Sequence, residues 1–269
     1  MDDPVYEQLT LTVEGGVVTI TLRRPERLNA MGVRLTAELL AALEAVEAMR
    51  EARALILTAA GTRSFCSGAD LKERATLDAV GRWAHNRAIT DCAAQLARLP
   101  IPTIAAINGL ALGGGCEITL ACDFRLAVHH AEIALPEVGL GVIPGAGGTQ
   151  RLPRLIGPTR AKEMIFTGRR ISAAEAFDWG LLSRVTSSED LLPAARALAA
   201  AIVRHSPLAV AYAKAAIDVG VESSIEQGLR YETAAIRAAL ASEDYKIGLA
   251  AFAAKEVPVF PPLPGGRIV

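Results

Sequence analysis

The sequence predicts an α/β core followed by a region built only of helices. Up to about residue 195, short runs of Val, Ile and Thr alternate with longer segments whose apolar residues recur every three or four positions. This is the pattern of strands that alternate with amphipathic helices. Beyond that point every segment is typical of an alanine-rich helix. The chain therefore divides into residues 1–195 and residues 196–269.

The composition indicates a large core and excludes several classes of partner. Hydrophobic residues make up 51% of the chain and aromatic residues only 4%, so the core must be built mainly from Ala, Leu, Ile and Val. A formal net charge of −1 gives no electrostatic reason to expect nucleic acid or an anionic membrane surface as a partner.

The same composition bears on location. The N-terminus, MDDPVYEQLT, lacks the apolar core of a signal peptide. The apolar run at 101–122 is interrupted by Asn108, Glu117 and several glycines, which argues against a membrane helix. The four cysteines form no CxxC pair, so we expect buried, reduced thiols in a cytoplasmic protein.

The first half of the chain opens with a predicted β-hairpin, Val5–Val13 and Val17–Leu22, whose turn is Glu-Gly-Gly. Apolar spacing and proline breaks then predict further elements. These are a helix at Val33–Met49, a buried strand at Ala54–Thr58, a helix at Ala79–Leu99, a buried strand at Ile104–Ile107 and a helix at Cys116–Cys122.

The second half is predicted to be helical, with one short strand at Leu181–Val185. The proline-rich tail VPVFPPLPGGRIV is expected to be extended and poorly ordered. The small, weakly charged faces of the last helices suit packing against another subunit, and they suit packing against the core equally well. The predicted helices are Arg160–Thr167, Ser172–Trp179, Glu189–His205, Pro207–Val219, Ser223–Ala241 and Ser242–Ala254.

Two glycine-flanked positions are candidates for free backbone N–H groups. Ala69 follows Gly68 just before a predicted helix, and Gly114 precedes the helix at Cys116–Cys122. Two such donors converging on one oxygen would form an oxyanion hole, in which each donor is worth roughly 3–4 kcal/mol. From the glycines alone, tight turns or close helix packing is the simpler interpretation.

Two carboxylates lie inside the mostly uncharged stretch from Ile104 to Gln150. Glu117 is about one helical turn past Gly114, and Glu137 follows a proline. A charge in an apolar stretch is expensive unless it has a use, and two carboxylates facing one substrate can act as base and acid. The alternative, that each glutamate caps a helix or pairs with an arginine such as Arg151, stands beside this one.

Motifs of other classes are missing from the sequence. There is no GxxxxGK[ST] and no clean GxGxxG after a strand, so ATP and NAD are not expected, and no GxSxG elbow occurs. The four histidines show no spacing typical of metal ligands. Cys66 has the setting of a nucleophile, although a small buried cysteine is the simpler interpretation.

Three motifs together resemble one family. FCSGADLK at 65–72, INGLALGGGCE at 107–117 and LPEVGLGVIPGAGGTQRL at 135–152 resemble, in this order, the enoyl-CoA hydratase/isomerase (crotonase) superfamily. Arg24-Pro25 with Leu28-Asn29-Ala30 resembles its N-terminal coenzyme A segment, and Ala251-Phe252 with Lys255 its C-terminal one. The resemblance spans roughly residues 5 to 260.

The resemblance implies a fold, a site and an assembly. Residues 1–195 would form a catalytic core of spiralling ββα turns, and residues 196–269 an α-helical trimerisation region, giving a homotrimer or a dimer of trimers. Ala69 and Gly114 would form the oxyanion hole for the thioester, with Glu117 and Glu137 as the catalytic residues. Coenzyme A would be bound by Leu28, Ala30, Ser67, Asp70, Leu71, Lys72, Phe252 and Lys255, the last two reaching its nucleotide end.

The resemblance also implies a reaction. Family hydratases carry Glu at both positions, as this chain does, so the implied activity is syn addition of water to a trans-2-enoyl-CoA to give a 3-hydroxyacyl-CoA, as in fatty acid metabolism. Glu137 would deliver a proton to C2, and Glu117 would position and deprotonate the water that attacks C3. No metal or other cofactor is implied, because the thioester already polarises the alkene.

Alternatives to the hydratase remain open. One is a Δ3-Δ2 enoyl-CoA isomerase that uses one glutamate, and another is a protein that binds acyl-CoA or RNA. Lys72-Glu73-Arg74-Ala75 and TQRLPRLIG at 149–157 resemble the short-chain and methylglutaconyl-CoA hydratase branch, which includes a member that binds AU-rich RNA. The helix at Val33–Met49 lacks a basic run, so nucleic acid is not expected as a partner here.

Overall fold

The computed structural model describes residues 6–263, which fold into two β-sheets surrounded by helices. The strands are β1 (Leu9–Glu14), β2 (Val17–Leu22), β3 (Ala54–Ala59), β4 (Ser64–Cys66), β5 (Thr103–Ile107), β6 (Leu110–Leu112), β7 (Phe124–Val128), β8 (Glu132–Ala134), β9 (Ile171–Ser172) and β10 (Arg184–Thr186).

The helices alternate with these strands and then dominate the C-terminal part. They are α1 (Val33–Ala48), α2 (Leu71–Ala75), α3 (Ala79–Arg98), α4 (Gly114–Leu120), α5 (Gly148–Ile156), α6 (Pro158–Thr167), α7 (Ala173–Asp178), α8 (Leu191–Val203), α9 (Pro207–Val221), α10 (Ile225–Leu240) and α11 (Glu243–Ala254). Single 3-10 turns lie at Pro25–Arg27 and Glu137–Leu140.

The two sheets are built by a repeated step of the chain. A six-stranded sheet has the order β1-β2-β3-β5-β7-β10, and a four-stranded sheet has the order β4-β6-β8-β9. The consecutive pairs β3/β4, β5/β6 and β7/β8 each give one strand to either sheet, parallel to the strands of the neighbouring pairs. The first two pairs are each followed by a helix. The predicted α/β fold with ββα turns and C-terminal helices is therefore confirmed.

The core lies around the central strands of the six-stranded sheet. Every residue of β3 and of β5 is buried, as expected for parallel strands that are covered on both faces. Helices α1 and α8 pack on this sheet, with α3 against α1. The ends of the parallel strands and the turns after them bring residues 65–72, 107–117 and 135–148 together.

The long predicted elements are confirmed to within a few residues, but several short strands were not predicted. The strand β7 is the clearest case, because it contains Arg125. That guanidinium is buried, donating from Nε to Leu181 O at 2.8 Å and from Nη1 to Cys122 O at 2.6 Å. A buried cation satisfied by carbonyls makes the strand look like a surface segment in the sequence. The predicted strand at Leu181–Val185 is displaced to Arg184–Thr186.

Both ends of the chain lie partly outside the described residues. Val5, the predicted start of the first strand, and residues 264–269 of the tail lie outside the described residues. Residues 257–263 contain no helix or strand, as predicted, but they are tied down: Arg53 Nη2 donates to Phe260 O at 2.6 Å, and Leu263 N donates to Arg50 O at 3.2 Å. The expectation of poor order is therefore wrong for this part.

The helices after residue 203 pack largely against one another, although Ala211 of α9 belongs to the core. Helices α9 and α10 pack together as a hairpin, with a groove of about 700 Å³ between them. Helix α8 contains residue 195 and packs against β3 and β5. The division of the chain into residues 1–195 and 196–269 stays a prediction. Among residues 6–263, no helix is both long enough and apolar enough to cross a membrane.

Candidate active site

The turn between β4 and α2 is held open by backbone geometry that requires glycine. Gly68 has φ +91°, and a Cβ there would lie 2.8 Å from Leu112 O. Met31 N donates to Gly68 O at 2.8 Å and Asp70 N donates to Met31 O at 3.0 Å, so residues 68–70 run parallel to Met31. Within the described residues, the N–H of Ala69 between them has no acceptor.

The N-terminus of α4 provides the second free amide. Gly113 has φ +53°, and Gly114 is the first residue of the helix. A Cβ on Gly114 would lie 4.0 Å from Ala69 N, so the two N–H groups are neighbours, and Gly114 N–H likewise has no acceptor among residues 6–263. A Cβ on Gly115 would overlap Cys66 O, which shows how closely α4 packs against the end of strand β4. The predicted oxyanion hole requires two such neighbouring amides, and its assignment to Ala69 and Gly114 stays a prediction.

Glu117 is buried and held by backbone amides. Its side chain is 3% exposed, and its Oε1 accepts from Ala146 N at 2.7 Å and from Gly148 N at 2.8 Å. Burial raises the pKa of Glu117, and these two hydrogen bonds partly offset the rise. Both of these hydrogen bonds go to Oε1, so Oε2 is the oxygen that could bind a water or a substrate.

Of the two structural alternatives for Glu117, capping a helix and pairing with Arg151, only the first is observed. Gly148 is the first residue of α5, so the carboxylate does bind the start of that helix. It makes no ion pair with Arg151, whose Nη1 instead donates to Ala146 O at 2.9 Å and so steadies the loop that holds Glu117. Arg151 is close enough for its charge to lower the pKa of Glu117.

Glu137 begins a 3-10 turn and is less tightly held. Its Oε1 lies against Gly113, where a Cβ would be 2.9 Å from that oxygen, and its Oε2 is buried without a hydrogen-bond partner in the described chain. Burial, with a further contribution from the charge of Glu117, raises the pKa of Glu137 to about 7, although the charge of Arg74 opposes the rise. A carboxyl group with this pKa can hold or release a proton near neutral pH.

The structure therefore brings together the four residues that were predicted as catalytic or oxyanion-binding. Glu137 touches Gly113, the neighbour of Gly114, and Glu117 lies one helical turn further along α4. The two carboxylates are close enough for the charge of one to raise the pKa of the other. Two carboxyl groups and two free amides are thus close neighbours in the fold.

The predicted coenzyme A residues from the first half of the chain also cluster. Leu28 is in the left-handed conformation, with φ +53°, and its carbonyl accepts from Ser67 N at 3.1 Å. Arg24 joins this segment to the next, because it donates to Ala30 O at 2.8 Å and pairs with Asp70 at 3.2 Å. Asp70 caps α2, whose exposed first residues are Leu71 and Lys72.

Phe252 and Lys255 are not brought to these residues within the described chain. Both lie at the end of α11, where Phe252 is 85% exposed and Lys255 ends the helix in the left-handed conformation. No hydrogen bond or ion pair connects either residue to the segments at 24–31 or 64–72. Their role at the nucleotide end stays a prediction, in which they reach the substrate from a neighbouring helix or subunit.

Sequence reasoning missed several groups that support the site. Arg74 on α2 acts electrostatically on Glu137, and its own Nε is buried without a partner in the described chain. Buried His85 on α3 contacts Met31 O with Nε2 at 2.9 Å. The amides of Ala146 and Gly148 lie in the motif at 135–152, for which the sequence predicted no such role. A lone histidine or arginine on a helix carries no sequence signal for such a role.

Other chemistry is not supported by the described residues. All four cysteines are free and buried, as predicted, and burial raises the pKa of the Cys66 thiol to about 12, far from that of a nucleophile. His129 and His130 are exposed in a turn. Between residues 6 and 263 there is no group of three or more His, Cys, Asp or Glu side chains that could hold a metal ion.

The spiral fold, the free amide pair and the two carboxylates are the features that the crotonase resemblance implies, and comparisons with known proteins identify the family. The family described as enoyl-CoA hydratase/isomerase matches residues 12–262. The chain belongs to that enzyme family, which confirms the resemblance seen in the sequence motifs.

Named relatives match over nearly the whole chain. A short-chain-enoyl-CoA hydratase of Clostridium acetobutylicum is 40% identical over 245 residues, covering 91% of this chain and 94% of the relative. A crotonyl-CoA hydratase of Syntrophomonas wolfei is 38% identical over 250 residues, covering 93% and 96%. The crystal structure of an enoyl-CoA hydratase from Bacillus anthracis superposes with a TM-score of 0.92 at 42% identity, covering 95% of this chain and 99% of that one.

Proposed function

We propose that this protein is an enoyl-CoA hydratase that adds water in the syn sense to a trans-2-enoyl-CoA and gives a 3-hydroxyacyl-CoA. One observation carries the proposal: two carboxyl groups in different environments share a site with two free backbone amides. The names of the relatives, among them a crotonyl-CoA hydratase, support the same activity and favour a short acyl chain.

The geometry supports a separate role for each of the four groups. The thioester oxygen accepts hydrogen bonds from Ala69 N–H and Gly114 N–H, which stabilise the negative charge that develops on it in the transition state. Glu117, held by two amides, uses its free oxygen to orient a water and takes its proton as the water oxygen bonds to C3. Glu137, whose pKa is about 7, delivers its proton to C2. Exchange with solvent then restores the protonation state, which belongs to the pair.

The substrate's coenzyme A would bind beside the oxyanion hole, along Leu28, Ala30, Ser67, Asp70, Leu71 and Lys72. The clustering of these segments around Arg24 supports this path. We propose no resident metal or other cofactor, because the conjugated thioester is itself the electron acceptor for water addition. The buried, free thiols support a reducing compartment such as the cytoplasm.

We also propose a homotrimer or a dimer of trimers. Large apolar side chains are exposed on helices α9, α10 and α11 of the single chain, and surfaces of this kind usually mark protein interfaces. They include Ile217, Ile225, Leu229, Ile236, Leu249 and Phe252. A neighbouring subunit would cover them and carry Phe252 and Lys255 to the nucleotide end of the substrate.

The decisive test is hydration of crotonyl-CoA by the wild type and by Glu117→Gln and Glu137→Gln. Each variant should lose hydration by orders of magnitude and still bind coenzyme A thioesters, because each removes a proton acceptor or donor without removing the binding loops. The matched control is Glu51→Gln, at an exposed carboxylate far from the motifs in sequence, which should leave the rate unchanged.

Three outcomes would contradict the proposal. Near-full hydration by either site variant would exclude the paired-carboxylate mechanism. A protein that converts 3-enoyl-CoA to 2-enoyl-CoA without hydrating crotonyl-CoA would be an isomerase that uses one glutamate. Binding of acyl-CoA without turnover of either substrate would indicate a binding protein.

A further inference from the structure

One face of helix α3 contacts three segments of the site. His85 contacts Met31, which runs beside Ala69. Ile89, one turn further, lies against Gly114, where its Cγ2 would be 3.4 Å from an added Cβ. Asn86 and Thr90 donate to Gly145 O at 3.4 and 2.9 Å, in the loop whose next residues hold Glu117. The helix therefore lies against both amide donors and the loop that anchors Glu117.

The contact made by His85 is the most specific of these. Its side chain is 4% exposed, and Nε2 lies 2.9 Å from Met31 O. A carbonyl oxygen can only accept, so Nε2 must carry the hydrogen and Nδ1 must be the bare nitrogen. Nδ1 is buried without a partner in the described chain. Burial and the nearby charge of Arg74 lower the pKa of His85, which keeps the ring neutral.

Met31 is the link between this ring and the oxyanion hole. Its carbonyl accepts from Asp70 N as well as from His85, and its N–H donates to Gly68 O. These bonds fix the two peptide groups on either side of Ala69. A small tilt of the Met31 peptide would therefore turn the Ala69 N–H away from the thioester oxygen.

We propose that His85 is a positioning residue that sets the direction of the Ala69 N–H through its hydrogen bond to Met31 O. This inference rests on the proposed function, because it assumes that the Ala69 amide binds the thioester oxygen. His85 does not face the substrate in this role. Its contribution is to hold the amide in the orientation that favours the transition state, so it acts on kcat more than on KM.

The test compares His85→Leu, which removes the donor, with His85→Gln, whose amide nitrogen can replace Nε2–H. We expect kcat for crotonyl-CoA hydration to fall about 10- to 100-fold in the leucine variant, a part of the loss seen when an oxyanion donor is removed. KM should change much less, and the glutamine variant should recover most of kcat. Arg87→Ala, an exposed change on the same helix, is the control and should match the wild type.

A spectroscopic measurement distinguishes a change in the orientation of the Ala69 N–H from a general loss of protein stability. An acyl-CoA with a conjugated thioester, bound to protein carrying Glu137→Gln, should show a lowered carbonyl stretching frequency, because the two amides polarise the bond. His85→Leu should reduce this shift and His85→Gln should restore it. If the leucine variant does not fold, His85→Asn, whose amide is too short to reach Met31 O, takes its place in the comparison.

The outcomes distinguish this inference from the proposed function. A carbonyl shift that depends on His85, in a protein that does not hydrate crotonyl-CoA, would support the inference and contradict the hydratase. Hydration with a carbonyl shift and a kcat that are independent of residue 85 would overturn the inference and leave the hydratase intact. Equal losses in the leucine and glutamine variants would also overturn it.

Discussion

At the residue scale, the proton affinity of Glu137 is the property on which the proposed chemistry depends. Its pKa is raised to about 7, first by burial and then by the charge of Glu117. In the hydration direction Glu137 must be protonated. We therefore expect kcat/KM for hydration to fall about tenfold per pH unit above about 7. It should also fall on the acid side, because the base Glu117 must be ionised and burial raises its pKa. Initial rates with crotonyl-CoA across this range check the expectation, and a profile without an alkaline limb would contradict the assignment of Glu137 as the acid.

Arg74 provides a second prediction at the same site. Its positive charge favours the ionised form of Glu137 and so lowers the pKa of that carboxyl group. Arg74→Leu should raise the pKa of Glu137 and move the alkaline limb of the hydration profile to higher pH. Arg74→Lys, which keeps the charge, should leave the limb near its wild-type position. A limb that moves to lower pH in the leucine variant would show that the effect of Arg74 is not electrostatic.

The same carboxyl group affects stability. Its pKa is about 7 in the folded protein against 4.5 for an ordinary glutamate, so folding disfavours its ionised form. The stability it contributes is complete below about pH 4.5 and is lost as pH rises through about 7. Glu137→Gln should therefore raise the free energy of unfolding at pH 8 by on the order of 1–2 kcal/mol, after solvent screening, and change it little at pH 4. Urea denaturation at the two pH values measures the difference; an equal effect at both would contradict the argument.

At the element scale, the close packing of helix α4 against the end of strand β4 leads to a prediction about Gly115. A Cβ at this position would overlap Cys66 O, a backbone atom of β4 that cannot move alone. Gly115→Ala should reduce stability by about 1–3 kcal/mol or more and displace Gly114 from its neighbour Ala69, with loss of hydration.

The matched control is Gly248→Ala in the middle of α11, where nothing lies within 4 Å of an added Cβ in the single chain. Alanine favours a helix over glycine by about 0.5–1 kcal/mol, so this variant should be slightly more stable. Thermal unfolding of both variants makes the comparison. Equal stability of the two would show that the contact with Cys66 is not restrictive.

The elements differ in how well the sequence reveals them. Long helices such as α1 and α3 show an apolar period over many residues and were predicted closely. Strands of three residues, such as β4 and β6, are too short to show any period, and their pairing is set by neighbours distant in sequence. The site follows the same rule: its glutamates and glycines stand out in the sequence, but the contacts of His85 and Arg74 exist only after the turns are stacked.

At the scale of the whole molecule, the exposed apolar surface of the C-terminal helices predicts dependence on assembly. Leu229→Glu, on α10, should shift the protein from a trimer towards monomers, because it places a charge in the proposed interface. Val13→Glu, at an exposed apolar residue of β1, is the control and should leave the mass unchanged. Light scattering during size-exclusion chromatography reports the mass.

Activity of the dissociated form gives a further comparison. If Phe252 and Lys255 of a neighbour contribute to binding, monomers should show a raised KM for acyl-CoA with a smaller change in kcat. A wild type that is monomeric at all concentrations would contradict the proposed trimer.

The way Glu117 is anchored has a consequence for how the chain becomes an enzyme. The two amides that receive this carboxylate, Ala146 and Gly148, belong to a stretch of chain made about thirty residues after it. Before that stretch has docked, the acid has no donors, and sealing it into the interior as an anion would be strongly unfavourable. A partly folded chain must therefore leave α4 accessible to water or keep Glu117 protonated. The catalytic charge thus acts as a check on folding, since it can enter the interior only when the segment that completes the site is in place.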